Sequence, residues 1–293
     1  MNETENEKGV VRMKGTITPS EVGSGPPKLP DLPPAKKLSM PYTLPSHGVF
    51  YGDKLPDGEV VISPIKGEQE EILSGMGETA NAKKTLQHIV SQLVDMKGFP
   101  IKKLLVGDYA ALVMNVMAFS YDPYITATTQ CPACKKMNLF NKAVSELECT
   151  HLSPDTVNDI SNYTVKLESV DAELQFRSLT MEDAEMVERF AISHRAEAEE
   201  FGSRPEYLYT FVRHIIAING ADAAGYGDHK LRHWLGQLSG KDMARLRDAC
   251  NKVEPGYNMR PNIVCDHCNN SYAVPLPEVS QFFRTKSSKA RSA

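Results

Sequence analysis

Apolar positions along the chain fall into a few periodic stretches separated by polar, turn-rich segments. Leu86, Ile89, Val90, Leu93 and Val94 recur at i, i+3 and i+4 and predict an amphipathic helix over about 80–95. Tyr109, Leu112, Val113, Val116 and Met117 repeat that spacing. Met114, Ala118 and Phe119 widen the stripe, so this helix reads as the core helix of the first half, with Asp108 in the N-cap position. Leu208, Phe211, Val212, Ile215 and Ile216 form a third stripe, and a last helix follows Ser239 with Met243, Leu246 and Cys250 on one side. Thr180 and Asp183 have the spacing of a capping box.

Strand signals lie between these helices. Gly58 to Ile65 is β-favouring and leads into Lys66-Gly67-Glu68-Gln69-Glu70-Glu71, a helix start whose carboxylates suit the helix dipole. Tyr163–Leu167 and Leu174–Leu179 read as a hairpin. Ile125–Thr129, Met137–Phe140, Ile263–Val264 and Tyr272–Val274 are short strands. The class expected is α+β: a mainly helical body with short β-hairpins. Val61–Glu68 and Phe176–Asp183 share the form of a strand feeding an acidic helix start. Either an old duplication or the common chemistry of such turns accounts for it.

Composition changes the picture at the two ends. Residues 1–41 hold few large apolar side chains, and Gly25 to Pro34 is so rich in proline that no helix or central strand can include it. This arm is expected to be disordered by itself, as a passive tail or as a strap for a neighbouring subunit. Folded sequence is expected from Tyr42, with an α+β segment over 42–130 and a mainly helical insertion over 150–255. The last residues, 284–293, are a basic tail carrying Arg284, Lys286, Lys289 and Arg291. The 293 residues carry a formal net charge of -4, which gives no general attraction to nucleic acid or anionic membrane. No run approaches the roughly 20 apolar residues of a membrane span. The polar, acidic N-terminus is not a secretory signal, so a reducing compartment is the default expectation.

Within that setting the cysteines carry the strongest chemical signal. Cys131-Pro-Ala-Cys134 and Cys265-Asp-His-Cys268 are both C-x-x-C, each entered from a β-like segment and followed by turn-forming residues. Together they form knuckle regions over 131–149 and 256–283 and supply the four soft ligands of a closed structural zinc site of zinc-ribbon type, one Zn2+ per chain. A compact ribbon separates its pairs by about 15–20 residues. Here some 130 intervene, so the two pairs meet only if the insertion between them begins and ends at nearly the same place. A redox pair or two separate buried pairs are the competing readings. Cys149 and Cys250 are left over. Cys250 lies on an apolar helix face, and His267 reads as a solvent-facing turn residue.

Catalytic signatures such as G-x-S-x-G, H-E-x-x-H and G-x-G-x-x-G do not occur. Gly75 to Thr85 superficially resembles a phosphate loop but lacks the glycine before Lys84-Thr85. His194, His214, His229 and His233 read as surface or packing residues. No enzymatic activity is expected.

Order along the chain adds one thing more. Leu44-Pro45-Ser46-His47-Gly48-Val49-Phe50-Tyr51 precedes the acidic helix start, then Gly107-Asp108, then Tyr121-Asp122-Pro123-Tyr124, then the first cysteine pair. The second pair is followed by Val274-Pro275-Leu276-Pro277 and by Phe282-Phe283. This succession resembles the baseplate hub proteins of T-even-type contractile-tailed bacteriophages. The resemblance covers about 43–140 and 261–284. It implies a non-catalytic virion or assembly role, made in the host cytoplasm, with hub and spike proteins as partners. Phe50, Tyr51, Phe282 and Phe283 are the candidate partner contacts, with local core packing as the other reading of Phe50 and Tyr51. A zinc-ribbon nucleic-acid-binding module, using Lys135, Lys136 and the basic tail, is the competing function.

Overall fold

The computed structural model describes residues 34, 36–75 and 82–277. The proline-rich arm up to residue 33, the basic tail, Phe282 and Phe283 lie outside the described residues. From Leu38 onward the described chain packs as one compact unit containing three apolar clusters.

The first cluster is built on strands β1 (Met40–Thr43), β2 (Glu59–Ile62) and β3 (Val94–Asp95), and on helices α1 (Gly67–Ser74), α2 (Ala82–Leu93) and α3 (Val106–Ser120). The three strands form one antiparallel sheet in the order β1-β2-β3. Leu86, Ile89, Val90 and Leu93 of α2 are buried together, as their spacing requires. α3 is buried on most of its circumference and enters two clusters at once. Leu112, Val113 and Val116 face the first. Met114 faces a smaller one with Ile125, Phe140, Val144, Leu147, Val274 and Leu276.

That smaller cluster belongs to two hairpins, β4 (Tyr124–Gln130) with β5 (Met137–Ala143), and, far along the chain, β12 (Asn262–Val264) with β13 (Ser271–Ala273). Between them run β6 (Cys149–Thr150), α4 (Pro154–Asn158), β7 (Thr164–Leu167), β8 (Ala172–Phe176), α5 (Met181–Ser193), α6 (Arg195–Phe201), α7 (Glu206–His214), β9 (Ile215–Ile218), β10 (Ala221–Asp222), α8 (Asp228–Leu235), α9 (Gly240–Lys252) and β11 (Gly256–Tyr257). Residues 163–253 form a cluster of their own, including Leu167, Phe176, Leu235 and Cys250.

The structure revises three details of the sequence reading. The stripe from Leu208 to Ile216 is not one helix: α7 stops at His214, and the β-branched run from Ile215 extends as β9. β9 adds to the expected hairpin and, with β10, makes a four-stranded sheet that sits among the helices of this region. Asp108 is not an N-cap, because α3 begins a turn earlier with Leu105 at the cap. The Thr180–Asp183 capping box and the Ser239 cap are present.

A buried polar seam surrounds the start of α3. The Asp108 carboxylate accepts the Ser46 N–H at 2.9 Å and the Tyr51 hydroxyl, whose oxygen in turn accepts the Leu105 N–H at 2.9 Å. Gly48, at φ +72°, brings its turn so close to Leu55 and Gly58 that a side chain has no room. The Leu44-to-Tyr51 segment and the Gly107-Asp108 pair are thus one hydrogen-bonded unit. Glu254 joins it from the far end of the insertion. Burial pushes its carboxyl up to about 7, with the charge of Asp108 adding to the effect and the Ser178 hydroxyl and Gly107 N–H opposing it.

The folded state therefore holds a proton on Glu254 that the unfolded chain releases near 4.5. Stability from this group is full below that value, falls as pH rises towards 7 and is level above. Glu254→Gln is expected to flatten that slope. Thermal midpoints measured at intervals from pH 5 to 8 check it: wild type should lose stability relative to the variant across the window. Parallel curves would place the titration elsewhere.

Candidate metal centre

Each cysteine pair occupies the turn of one hairpin. In the first, the Cys131 N–H donates to the Lys136 carbonyl at 2.9 Å and the Lys135 N–H to the Cys131 carbonyl at 3.0 Å. In the second, the Cys265 N–H donates to Asn270 at 2.9 Å and the Asn269 N–H to Cys265 at 2.9 Å. The residue after each second cysteine is left-handed, Lys135 at φ 63° and Asn269 at φ 56°. The knuckles are two copies of one backbone turn. It aims both thiols to the same side and turns amide N–H groups towards the sulfur, as from His267 to Cys265 Sγ at 3.4 Å.

The two turns face each other across 131 or more residues of sequence. Cys131 Sγ lies 3.7 Å from Cys268 Sγ, and Cys134 Sγ 3.6 Å from Cys265 Sγ. All four sulfur atoms fall within 4.8 Å of one another. A disulfide brings sulfurs to about 2.05 Å, and all six cysteines are free thiols. Four sulfurs at about 2.3 Å from a tetrahedral ion are about 3.8 Å apart, so the spacing fits a single metal ion. Cys131 and Cys265 are buried and Cys268 is exposed, which leaves the site accessible from one side.

Electrostatics lower two of the clustered thiols and raise a third. At Cys131, N–H groups of Cys134 and Ala133 lower the thiol below its ordinary range. At Cys265, burial opposes ionisation, but the His267 and Cys268 N–H groups outweigh it and bring the thiol to about 6. Crowding by the neighbouring sulfurs overcomes the Asn270 N–H and desolvation adds to it, raising Cys268 to about 12, as expected of close sulfurs that cannot all ionise without a cation. Cys250, in the apolar cluster of the insertion, and Cys149, on β6, are pushed up by burial to about 12 and about 11. Neither belongs to the sulfur cluster.

Two features that sequence reasoning missed bring the pairs together. The first is a clasp at the base of the insertion. β6 and β11 pair antiparallel, Cys149 with Tyr257 and Thr150 with Gly256, and the Asn258 N–H donates to the Glu148 carbonyl at 2.8 Å. The insertion begins and ends at one place, as a shared site demands. The second is Asn138, nearly fully buried. It donates to the Lys136 carbonyl at 3.2 Å and accepts the Asp266 N–H at 3.1 Å, tying one knuckle to the other. Its only sequence signal is a polar residue at an inward-facing strand position.

Of the aromatic contact candidates, Phe50 is 42% exposed and rests edge-on against Tyr163, ring centroids 6.1 Å apart. Tyr51 is 6% exposed and its hydroxyl is committed to Asp108, so its side chain belongs to the interior. His267 is exposed and outside the sulfur cluster. Among the described residues no helix is long and apolar enough to cross a membrane.

A family model described as T4 bacteriophage base plate protein matches residues 50–284, a span that contains all four cysteines and the clasp. The chain belongs to this family of phage base plate proteins. No curated protein and no solved structure matches it.

Proposed function

We propose that the protein is a non-enzymatic structural or assembly component of the phage tail base plate, placed at its hub, and that Cys131, Cys134, Cys265 and Cys268 hold one structural Zn2+. The family match across both hairpins carries this reading, and the sulfur geometry supports the metal. Four thiolates fill a tetrahedral shell and leave no position for substrate, so the ion stiffens the fold without performing chemistry. The clamped hairpins would then present a rigid surface to other tail proteins, hub and spike among them, during assembly in the host cytoplasm and in the virion. Phe50 supplies an exposed aromatic anchor of the kind that concentrates interface energy; Phe282 and Phe283 are the corresponding candidates near the C-terminus.

A nucleic-acid role has one observation in its favour, the exposed Lys135 and Lys136 at the tip of the first knuckle. The net charge of -4 weighs against it, because counterion release from bound phosphates drives such binding. A tagged protein recovered from infected cells should bring hub or spike proteins with it. In a titration at physiological salt it should show no DNA binding tighter than about 10 micromolar, the weak non-specific range. Sub-micromolar DNA binding with no tail protein recovered would reverse the assignment.

A further inference from the structure

A second site lies where the insertion meets the first lobe, away from the cysteines in sequence. Leu105 and Thr180 form an isolated antiparallel bridge, with the Val106 N–H donating to Leu179 at 2.9 Å and the Met181 N–H to Leu104 at 2.8 Å. Beside this bridge a cleft of about 120 Å3 is lined by Phe50, Tyr51, Lys103, Arg177, Ser178 and Thr180. We propose that this cleft receives a carboxylate of a partner tail protein, an Asp or Glu side chain or a chain terminus within an acidic peptide segment. The proposal rests on the base plate reading and names the chemistry of the partner.

The walls are fixed before any partner arrives. Tyr51 is held by Asp108 and Leu105. Arg177 grips Asp183 through two nitrogens, at 2.6 and 2.9 Å. The Thr180 hydroxyl donates to the same carboxylate at 2.8 Å, and Ser178 donates to the Val253 carbonyl at 3.4 Å. The three hydroxyl protons are thus used inside the protein, and an incoming carboxylate is met by the Lys103 ammonium and the remaining N–H groups of Arg177.

The residues lining the cleft include two cations, Lys103 and Arg177, and no acid. Arg177 and Arg213 share the one Asp183 carboxylate, and Asp228 approaches Arg213 only at 3.9 Å. Lys102 is paired with Glu185 at 3.1 Å. Lys103 is exposed and has no acidic partner among the described residues. The acids bonded to the cleft's own Tyr51 and Ser178, Asp108 and Glu254, are not among the residues that line it.

A cleft of this size admits a carboxylate side chain. Phe50, half-exposed at the cleft, offers its ring to an apolar residue beside the acid.

The test uses the full-length protein and three labelled probes in anisotropy titrations: a peptide alternating Glu and Leu, its Lys–Leu counterpart and a single-stranded DNA of similar length. Saturable binding of the Glu–Leu peptide alone is expected, weakened about tenfold, or about 1.4 kcal/mol, by Lys103→Glu. Lys142→Glu, an exposed position on β5, should leave it unchanged. Lys103 is exposed, so unaltered thermal melting will show that its variant is folded. Equal binding by Lys103→Glu, equal binding of the Lys–Leu peptide or the DNA, or no binding at all would overturn the proposal. The two readings fail separately. Tail proteins recovered equally by wild type and Lys103→Glu would remove the cleft and keep the base plate role. Tail proteins recovered by neither would remove the role, and the peptide titration would still decide the cleft.

Discussion

Cys131→Ser and Cys265→Ser, made separately, are each expected to take the purified protein from one zinc per chain to none. Both should lower its thermal midpoint sharply. The geometry makes each half of the site dependent on the other. Cys131 pairs across the gap with Cys268, and Cys134 with Cys265. Removing one sulfur leaves three ligands drawn from two separate hairpins. Structural zinc contributes on the order of 10 kcal/mol to the folding of small zinc modules. Hairpins packed on α3 are expected to keep part of their structure without an ion, so a loss of roughly half that figure is expected. For a unit of this size that corresponds to a midpoint lowered by roughly 10–20 °C.

Elemental analysis and melting curves of the two variants decide the matter. A shared site requires both variants to lose all the metal. If either retained a full equivalent of zinc, the pairs would be acting independently and the four-sulfur centre would be wrong. Chelation of wild-type protein should reproduce the variants' melting behaviour, with recovery on adding zinc back. Cys250→Ser should leave zinc content untouched, because that thiol lies in the separate apolar cluster of the insertion.

The four-cysteine cluster was legible in the sequence, where two matching C-x-x-C turns with β-like approaches favoured a shared site over a redox pair or two separate buried pairs. So was the helical framework wherever a 3.6-residue stripe met a cap, as at Thr180 and Ser239. Legibility failed where long-range pairing decides. Ile215 and Ile216 continue the stripe of α7 in register, and only the waiting edge of β8 draws them out as a strand. The clasp of β6 on β11 spans two residues on each side, too few for any periodicity to register. Asp108 has the composition and position of a helix cap. Its role as acceptor for Ser46 and Tyr51 depends on a loop more than fifty residues earlier. The order of the motifs held this information without explaining it. The Leu44-to-Tyr51 turn and Gly107-Asp108 touch through the Asp108 carboxylate.

Gly107→Ala is the sharpest test of that junction, because two physical rules give it opposite signs. Ala is favoured over Gly inside a helix by about 1 kcal/mol, and Gly107 is the second residue of α3. Propensity alone therefore predicts a more stable protein. The structure predicts the reverse. A Cβ at position 107 would lie 1.7 Å from the Pro255 carbonyl oxygen and 2.8 Å from its carbon. Both are backbone atoms and cannot rotate away. Gly256 is confined too, at φ +123° and with Gly107 backbone atoms 3.1 Å from where its Cβ would lie. The start of α3 would have to move off the returning chain. That motion opens the seam around Asp108 and pulls on the Thr150–Gly256 pair that closes the insertion. A loss of about 3–5 kcal/mol is expected, at the upper end for a single substitution. Gly240→Ala is the control. It opens α9 in the same way, but nothing lies within 4 Å of its added methyl group, so it should be neutral or slightly stabilising. Chemical denaturation of the two variants beside wild type gives both signs in one experiment. If Gly107→Ala proved as stable as Gly240→Ala, α3 would not approach Pro255, and the clasp that brings the two cysteine pairs together would need another explanation.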